Sequence, residues 1–538
     1  MVKNILQLLE ITNEKFKNKI AFGESENEIT YNNFTNDCKK IGSSIAKLDI
    51  TKKPIIIFID KTINCLEAMF GVLYSGNFYT IVDTKSPKDR MQSIVNTLEA
   101  EIVITDNKNK AKLEKLEIKN IKNVFCIEEL KKSEIETEKL LEIRNNQIDT
   151  DIMYILFTSG STGTPKGTVL THRAVISYIN WVKDTFSINE NTIWGSQTPF
   201  YFSMSITDVF TTILTGATLY IIPKMLFSFP VKLLEFMNEK NINTIYWVPS
   251  ALSLVANLGA LKVSTVNKLS KVLFAGEVMP TKQLNMWIEK FPNALFANLY
   301  GPTETTDICS YYVVNRKFAN DESIPIGSHC DNCDLIIIDE NNNEIKLEKD
   351  KNGKYKESLS GELYVRGSFL ANGYYKNDEK TKEVFVQNPL QKDYPEIVYK
   401  TGDIVKYNDR GEIIYLSRKD YQIKHMGYRI ELGEIERNIY SIDEVTLCAA
   451  IYDEINNKIV LYYQGEIEEN ELAKKLTSKL LPYMVPNIYI RLNHMPYNSN
   501  GKIDRKKLKN DYKEGEKDGR ATKNIKWNKT RGWFWKGK

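Results

Sequence analysis

Residues 271–300 read KVLFAGEVMPTKQLNMWIEKFPNALFANLY, and the order of apolar positions in them decides the fold class. Within 281–291, Leu284, Trp287, Ile288 and Phe291 fall at i, i+3, i+4 and i+7, one face of a helix. KVLF at 271–274 and ALFANLY at 294–300 flank it as apolar runs of strand length. Strand, crossover helix, strand is the unit of a parallel sheet covered by helices, so the class is α/β. The same alternation runs upstream, with Ile55–Ile59, Ile102–Ile104 and Met153–Phe157 as further buried strands. Past about residue 320 the pattern changes to short strands between Gly, Asn and Asp: CDLIIIDE, GELYVRG and GEIIYLS. AAIYDE, KIVLYYQG and the helical ENELAKKLTSKL then form a smaller α+β segment. The reading is a large domain over 1–419 with mostly parallel sheets and a β-rich subdomain, a small α+β domain over 420–510, and a tail over 511–538.

Composition agrees with a globular chain. Of 538 residues 42% are hydrophobic and 26% charged, which excludes collagenous and wholly disordered classes. At roughly 100–200 residues per domain the length suggests about three or four compact units. The net charge of +4 is too balanced to point at nucleic acid or an anionic membrane. Residues 511–538 hold nine Lys or Arg against four Asp or Glu, together with Trp527, Trp533 and Trp535, and read as a disordered basic tail. No stretch reaches the roughly 18 apolar residues of a membrane helix. The N-terminus, MVKNILQLLEITNEKFKNKI, reads as an amphipathic helix and not a signal peptide. Seven scattered cysteines make no disulfide framework, so a cytoplasmic location is expected.

Chemistry concentrates after the strand MYILF. Thr158-Ser159-Gly160-Ser161-Thr162-Gly163-Thr164-Pro165-Lys166-Gly167 combines five hydroxyls, three glycines and a lysine. Glycine lets backbone N–H groups turn toward an anion, hydroxyls add donors and lysine adds charge, which is how a loop holds phosphate. Thr-Pro between Gly163 and the lysine separates it from a Walker loop.

YILFTSGSTGTPKGTVLTH resembles the phosphate loop of the adenylate-forming superfamily, which includes acyl-CoA synthetases, peptide-synthetase adenylation domains and D-alanine–carrier protein ligases. The resemblance continues in order through NLYGPTETT at 298–306, GELYVRG at 361–367, GYY at 373–375 and YKTGD at 399–403. It closes with SRKDYQIKHMGYRIELGEIE at 417–436 and NSNGKIDRKKL at 498–508. QIKHMGYRIELGEIE and VLFAGEVMP look most like the free-standing amino-acid-activating branch, with the D-alanine ligases nearest.

The resemblance implies ATP and Mg²⁺ as cofactors and roles for matching positions. Thr158, Ser159, Gly160, Ser161, Thr162, Gly163 and Lys166 would wrap the β- and γ-phosphates. Asn298, Tyr300 and Gly301 would line the adenine, with Leu299 and Pro302 also in the cofactor site; Thr303 would touch the α-phosphate, and Glu304 would hold the metal. Asp403 would accept from both ribose hydroxyls, Arg418 would contact ribose or phosphate, and Tyr415 would also belong to the cofactor site. Lys502 would sit between the substrate carboxylate and the α-phosphate. Asp420 would be the hinge of a mobile C-terminal lid, whose rotation withdraws Lys502 and brings in the loop around Gly427. The acceptor implied is the phosphopantetheine of a carrier protein, expected as a separate chain because only 30 residues follow the closing motif.

The acyl pocket departs from the family pattern. By matching, its wall is Ser203, Met204, Thr207, Tyr246, Leu273, Ala275, Asp307 and Ile308. Amino-acid-activating relatives carry Asp where this chain has Ser203, and that Asp pairs the substrate α-ammonium. Asp307 stands at a position usually apolar. Three readings stay open: Asp307 takes the amine from a shifted direction, the acid has no α-amine and the enzyme is an acyl- or aryl-CoA synthetase, or catalysis is weak. Asp307 as a solvent-facing or helix-capping carboxylate is the bland alternative. Ser417, where the family has Gly, fits unless its φ is positive. Cys330 and Cys333 with His329 are too few for structural zinc. His172 reads as a cap or core residue.

Overall fold

In a computed structural model, residues 2–158, 165–320, 322–419, 422–496 and 503–517 are described. The strands Lys271–Ala275 and Leu295–Tyr300 pair in parallel across the helix Thr281–Lys290, as the opening stretch predicts. That helix buries Leu284 and Trp287, and the Trp287 indole N–H donates to the Leu252 carbonyl at 2.9 Å, so the large ring enters the core with its polar atom satisfied.

Among the described residues these strands belong to a nine-stranded sheet. Its order is Ser328–His329, Ser310–Val313, Leu295–Tyr300, Lys271–Ala275, Thr244–Trp247, Ile193–Ser196, Thr218–Ile221, Ile20–Gly23, Glu28–Thr30. The six from Leu295–Tyr300 to Ile20–Gly23 are parallel and nearly continuous in apolar residues, as strands covered on both faces must be. A six-stranded sheet runs Asn123–Cys126, Ile102–Thr105, Pro54–Phe58, Phe78–Ile81, Ile152–Thr158, Lys166–Thr171. The β-rich segment forms a five-stranded sheet with antiparallel pairing around Gly361–Gly367 and Ile397–Tyr407. The N-terminal helix is Ile5–Phe16, capped by Asn4, whose side chain accepts from the Gln7 N–H at 3.1 Å.

The residues group into two compact units and not three or four: 1–84, 91–157 and 166–420 form one, and 85–90, 158–165 and 421–538 the other. The reason is packing. One apolar core runs from Ile5 to Ile413 and takes side chains from the nine-, six- and five-stranded sheets alike, and the β-rich segment adds to it only a small cluster of Ile336, Ile338, Tyr364 and Val398.

In the second unit Gln422–His425 and Tyr428–Glu431 form a hairpin through Met426 and Gly427, both at positive φ, the conformation a two-residue hairpin turn requires. Val445–Asp453, Lys458–Gly465 and Ile488–Arg491 make a three-stranded sheet over the helices Leu432–Tyr440 and Glu469–Lys479. The Arg505 guanidinium bonds both Glu436 carboxylate oxygens at 2.7 Å, tying the start of the last helix to Leu432–Tyr440. That helix is Arg505–Lys517, with Tyr512 buried, so ordered structure continues past residue 510, where the sequence reading begins the tail. Residues 518–538, with the three tail tryptophans, lie outside the described residues.

Candidate active site

The parallel strands of the nine-stranded sheet end at Ser196, Trp247, Ala275 and Tyr300, and the residues the sequence singles out collect at those carboxyl ends. Ligands of open α/β sheets bind there because loops leaving neighbouring strands diverge and leave a crevice. Leu273, Ala275, Leu299 and Ile308 are buried apolar wall, and Met204 joins them from just before the helix Ser205–Thr215.

On one side stands Asp403. It lies in Ile397–Tyr407 directly opposite Arg418 in Ile413–Arg418, and this register brings the Arg418 guanidinium to its Oδ1 at 2.8 Å. The Tyr300 hydroxyl donates to Oδ2 of the same carboxylate. Tyr415 is half-buried two residues after the strand begins, opposite Val405. Ser417 has no positive φ, so the family's glycine is not needed there. Asn298 is buried with its amide donating to the Pro325 carbonyl at 2.8 Å. A Cβ on Gly301 would sit 2.2 Å from the Asp307 carbonyl oxygen, so glycine is required where the chain after Pro302 folds back.

Below lies Glu304, fully buried in the short 3-10 turn Thr303–Thr305. The Tyr374 hydroxyl donates to its Oε1 at 2.6 Å, and the Lys166 ammonium lies 5.4 Å from the Tyr374 ring centroid. Tyr374 thus couples the lysine that closes the phosphate loop to the carboxylate expected at the metal. Thr158 ends its strand with a buried hydroxyl that has no partner among the described residues. Ser159, Gly160, Ser161, Thr162 and Gly163, with Lys502 and Asp420, lie outside the described residues.

The donor set suits the expected cofactors. No three His, Cys, Asp or Glu converge among the described residues. Mg²⁺ is usually held by one or two carboxylates plus substrate phosphates and water, and one buried carboxylate, Glu304, is that kind of set. The orphaned Thr158 hydroxyl is a donor awaiting an acceptor such as a phosphate oxygen.

On the other side is Asp307, 1% exposed. Three hydroxyls converge on its Oδ2: Thr207 at 2.9 Å, Tyr178 at 3.0 Å and Tyr246 at 3.0 Å. Ser203 lies close by, and the Thr303 hydroxyl donates to its Oγ at 3.5 Å. Burial raises the Asp307 carboxyl to about 6, with the Thr207, Tyr178, Tyr246 and Ser203 hydroxyls pulling the other way. No cation pairs with it among the described residues. It neither faces solvent nor caps a helix. Its position depends on Thr306, at φ 67 and ψ −54, with the Asp307 N–H bonded back to the Thr305 carbonyl at 2.8 Å. A β-branched residue in this γ-turn is strained by about 1–3 kcal/mol. The Thr306 hydroxyl, donating to the Phe369 carbonyl at 2.8 Å, helps hold it.

Sequence reading missed Tyr178, because on the helix His172–Thr185 it sits among Ala174, Val175, Ile179 and Val182 and looks like core. Tyr374 was visible within GYY without a role. His172 is that helix's first residue, buried, with Nδ1 accepting from the Ile5 N–H at 3.4 Å and burial holding it down at about 4. The Cys330 and Cys333 thiols are buried and face the Ile308 and Cys309 carbonyls at 3.7 and 3.5 Å.

Known proteins match along the same residues. The AMP-binding enzyme family covers 9–375. Gramicidin S synthase 1 of Brevibacillus brevis is 31% identical over 515 residues, 94% of this chain, which spans 44% of that longer protein. The D-alanine--D-alanyl carrier protein ligase of Staphylococcus aureus (strain Newman) is 30% identical over 501 residues, 91% of this chain and 95% of that one. In fold the chain is similar to a Vibrio cholerae adenylation domain solved in complex with glycyl-adenosine-5'-phosphate, with a TM-score of 0.81 at 20% identity over 96% and 98% of the two chains. No helix among the described residues is long and apolar enough to cross a membrane. A family match that contains Asp307, Glu304 and Tyr374 alike, and relatives aligned along nearly the whole length, lead to one conclusion: the chain belongs to the AMP-binding enzymes, the adenylate-forming ligases.

Proposed function

We propose that this ligase adenylates a carboxylic acid bearing an amine, releases pyrophosphate, and passes the acyl group to the phosphopantetheine thiol of a carrier protein. The observation that carries the reading is Asp307, a buried carboxylate held by hydroxyls alone in the pocket where Ser203 offers no charge. A carboxylate kept from water without a counter-ion is matched by a ligand that brings one. An ammonium at Asp307 enters from a different side than one at Ser203, which favours a β-amino acid or an unusual placement of an α-amino acid.

The first half-reaction joins two anions, so its barrier is electrostatic and orientational. Asp403, Tyr300 and Arg418 hold the ribose end, Thr303 meets the α-phosphate, and Asp307 fixes the acid so that its carboxylate faces that phosphorus. Mg²⁺ at Glu304 supplies charge neutralisation on the phosphates. Lys502 neutralises the meeting anions, and Lys502→Ala is expected to slow adenylation by about 10²–10³, with far less effect on thiolation.

The test is acid-dependent pyrophosphate–ATP exchange over D- and L-amino acids, β-amino acids, hydroxy acids and aryl acids. Exchange confined to amine-bearing acids and lost in Asp307→Asn supports the reading. Exchange with amine-free acids overturns it in favour of the acyl- or aryl-CoA synthetase, which thiolation with free coenzyme A against a carrier protein then checks.

A further inference from the structure

Next to the Asp307 network is a second buried polar group that this reaction does not use. Asp208 follows Thr207 on Ser205–Thr215, is 2% exposed, and its Oδ1 has no hydrogen-bond partner among the described residues. Its neighbour is Ser196, the last residue of Ile193–Ser196. In register, Ser196 lies beside Tyr246, whose hydroxyl holds Asp307, so the two side chains rise from the same face of the sheet. The Lys61 ammonium donates to the Ser196 hydroxyl at 2.9 Å and lies 5.2 Å from the ring centroid of Phe200, in the loop that carries Ser203.

Lys61 and Asp208 attract one another, and burial lowers the lysine while raising the carboxyl. Yet they form no ion pair, because Ser196 stands between them. An orphaned carboxylate oxygen this deep carries a desolvation cost that no hydrogen bond offsets. A direct salt bridge would remove that cost. Held apart in this way, the Lys61 ammonium offers a donor and Asp208 Oδ1 an unused acceptor on either side of Ser196, the pair of functions that a hydroxyl or carboxamide satisfies.

We propose that Lys61, Ser196 and Asp208 form a distal subsite of the acyl pocket that recognises a hydroxyl or carboxamide on the acid's side chain. The identification of the acid as amine-bearing rests on the reading above. The distance is short: Thr207 and Tyr246, each adjacent to a member of the subsite, both bond Asp307. A short side chain therefore spans from the amine to the subsite. A methyl-ended analogue of the same size leaves Asp208 unpaired and gains nothing from Lys61. Sites built to bond a polar substrate group reject its apolar analogue strongly.

The experiment measures kcat/KM for pyrophosphate–ATP exchange with matched acids differing only at the distal group: serine against 2-aminobutyrate, asparagine against leucine, and the corresponding β-amino and amine-free acids. The wild-type enzyme is expected to prefer the polar member by about 10²-fold or more. Lys61→Met and Asp208→Asn are each expected to erase most of that preference. Equal kcat/KM for polar and methyl-ended partners in the wild type overturns the subsite without any variant, and leaves a fixed water as the occupant. A preference that survives both substitutions overturns it too. Dependence on the amine is read separately from the same panel: loss of amine dependence alone overturns the Asp307 reading and leaves the subsite standing, while loss of the distal preference alone does the reverse.

Discussion

Asp403 and Asp307 are both buried carboxylates in the same unit, and both accept from a tyrosine hydroxyl. Asp403 has a resident guanidinium at 2.8 Å, whereas Asp307 has only hydroxyls. The first is charge-balanced before any ligand arrives and offers hydrogen bonds to neutral hydroxyls. The second is unbalanced, and burial raises its carboxyl to about 6 with no cation to bring it back. One molecule thus contains two ways to use an aspartate, and on the proposed reading the first suits a neutral sugar edge and the second a cation.

The comparison breaks most sharply if Asp307 is neutralised. Asp307→Asn is expected to cost amine-bearing acids about 2–5 kcal/mol, roughly 30- to several-thousand-fold in kcat/KM, with the KM for ATP unchanged in the same exchange assay. Ser203→Asp adds a second carboxylate near the first, and like charges at close range cannot both stay ionised cheaply. That variant alone is expected to be poorer than wild type. Ser203→Asp combined with Asp307→Asn is expected to regain exchange with ordinary α-amino acids. If the double variant stays silent, charge relocation is not what separates this pocket from its relatives.

Removing the balance at Asp403 sharpens the other half. Arg418→Met strands a buried carboxylate and is expected to lower stability by about 3 kcal/mol in denaturant unfolding, and to raise the KM for ATP. The KM for the acid should hardly move.

A smaller effect is expected with pH. Below about 6 the free enzyme holds Asp307 protonated and neutral, so kcat/KM for an amine-bearing acid should fall about tenfold per unit as pH drops through that value. Tyr154, Tyr178, Tyr246 and Asp208 face the same carboxyl, and only Asp208 is also expected to titrate nearby, so Asp208→Asn is the control. The stability sign is the opposite of a salt-bridged aspartate. The folded pKa lies above the unfolded one, so Asp307 is without penalty at low pH and becomes destabilising as pH rises from about 4 to 6, which Asp307→Asn should abolish in a Tm–pH series.

Smallest is Thr306→Gly. Glycine accepts the positive φ but loses the hydroxyl bond to Phe369. Stability should change little, and loosening the Asp307 turn should lower kcat/KM about threefold.

The two regions were also unequally legible. Asp403 and Arg418 come from contiguous motifs, YKTGD and SRKD, and their pairing follows from the register of two neighbouring strands. Asp307 itself was visible because it interrupts an apolar position in TETTD. Its surroundings were not, since Tyr178, Thr207 and Tyr246 come from two helices and a strand far apart in sequence, and each fits a bland core pattern.

By itself, the amino-acid sequence determined the α/β class, the parallel order around 271–300 and the family to which the chain belongs. These rest on local periodicity and on short contiguous motifs, which survive without knowledge of distant contacts. Only tertiary structure decided that the β-rich segment shares the main core, that Asp307 is buried among hydroxyls without a cation, and that Lys61 and Asp208 stand apart across Ser196. Burial and charge compensation are properties of what packs around a side chain, and those neighbours are brought together only when the chain folds.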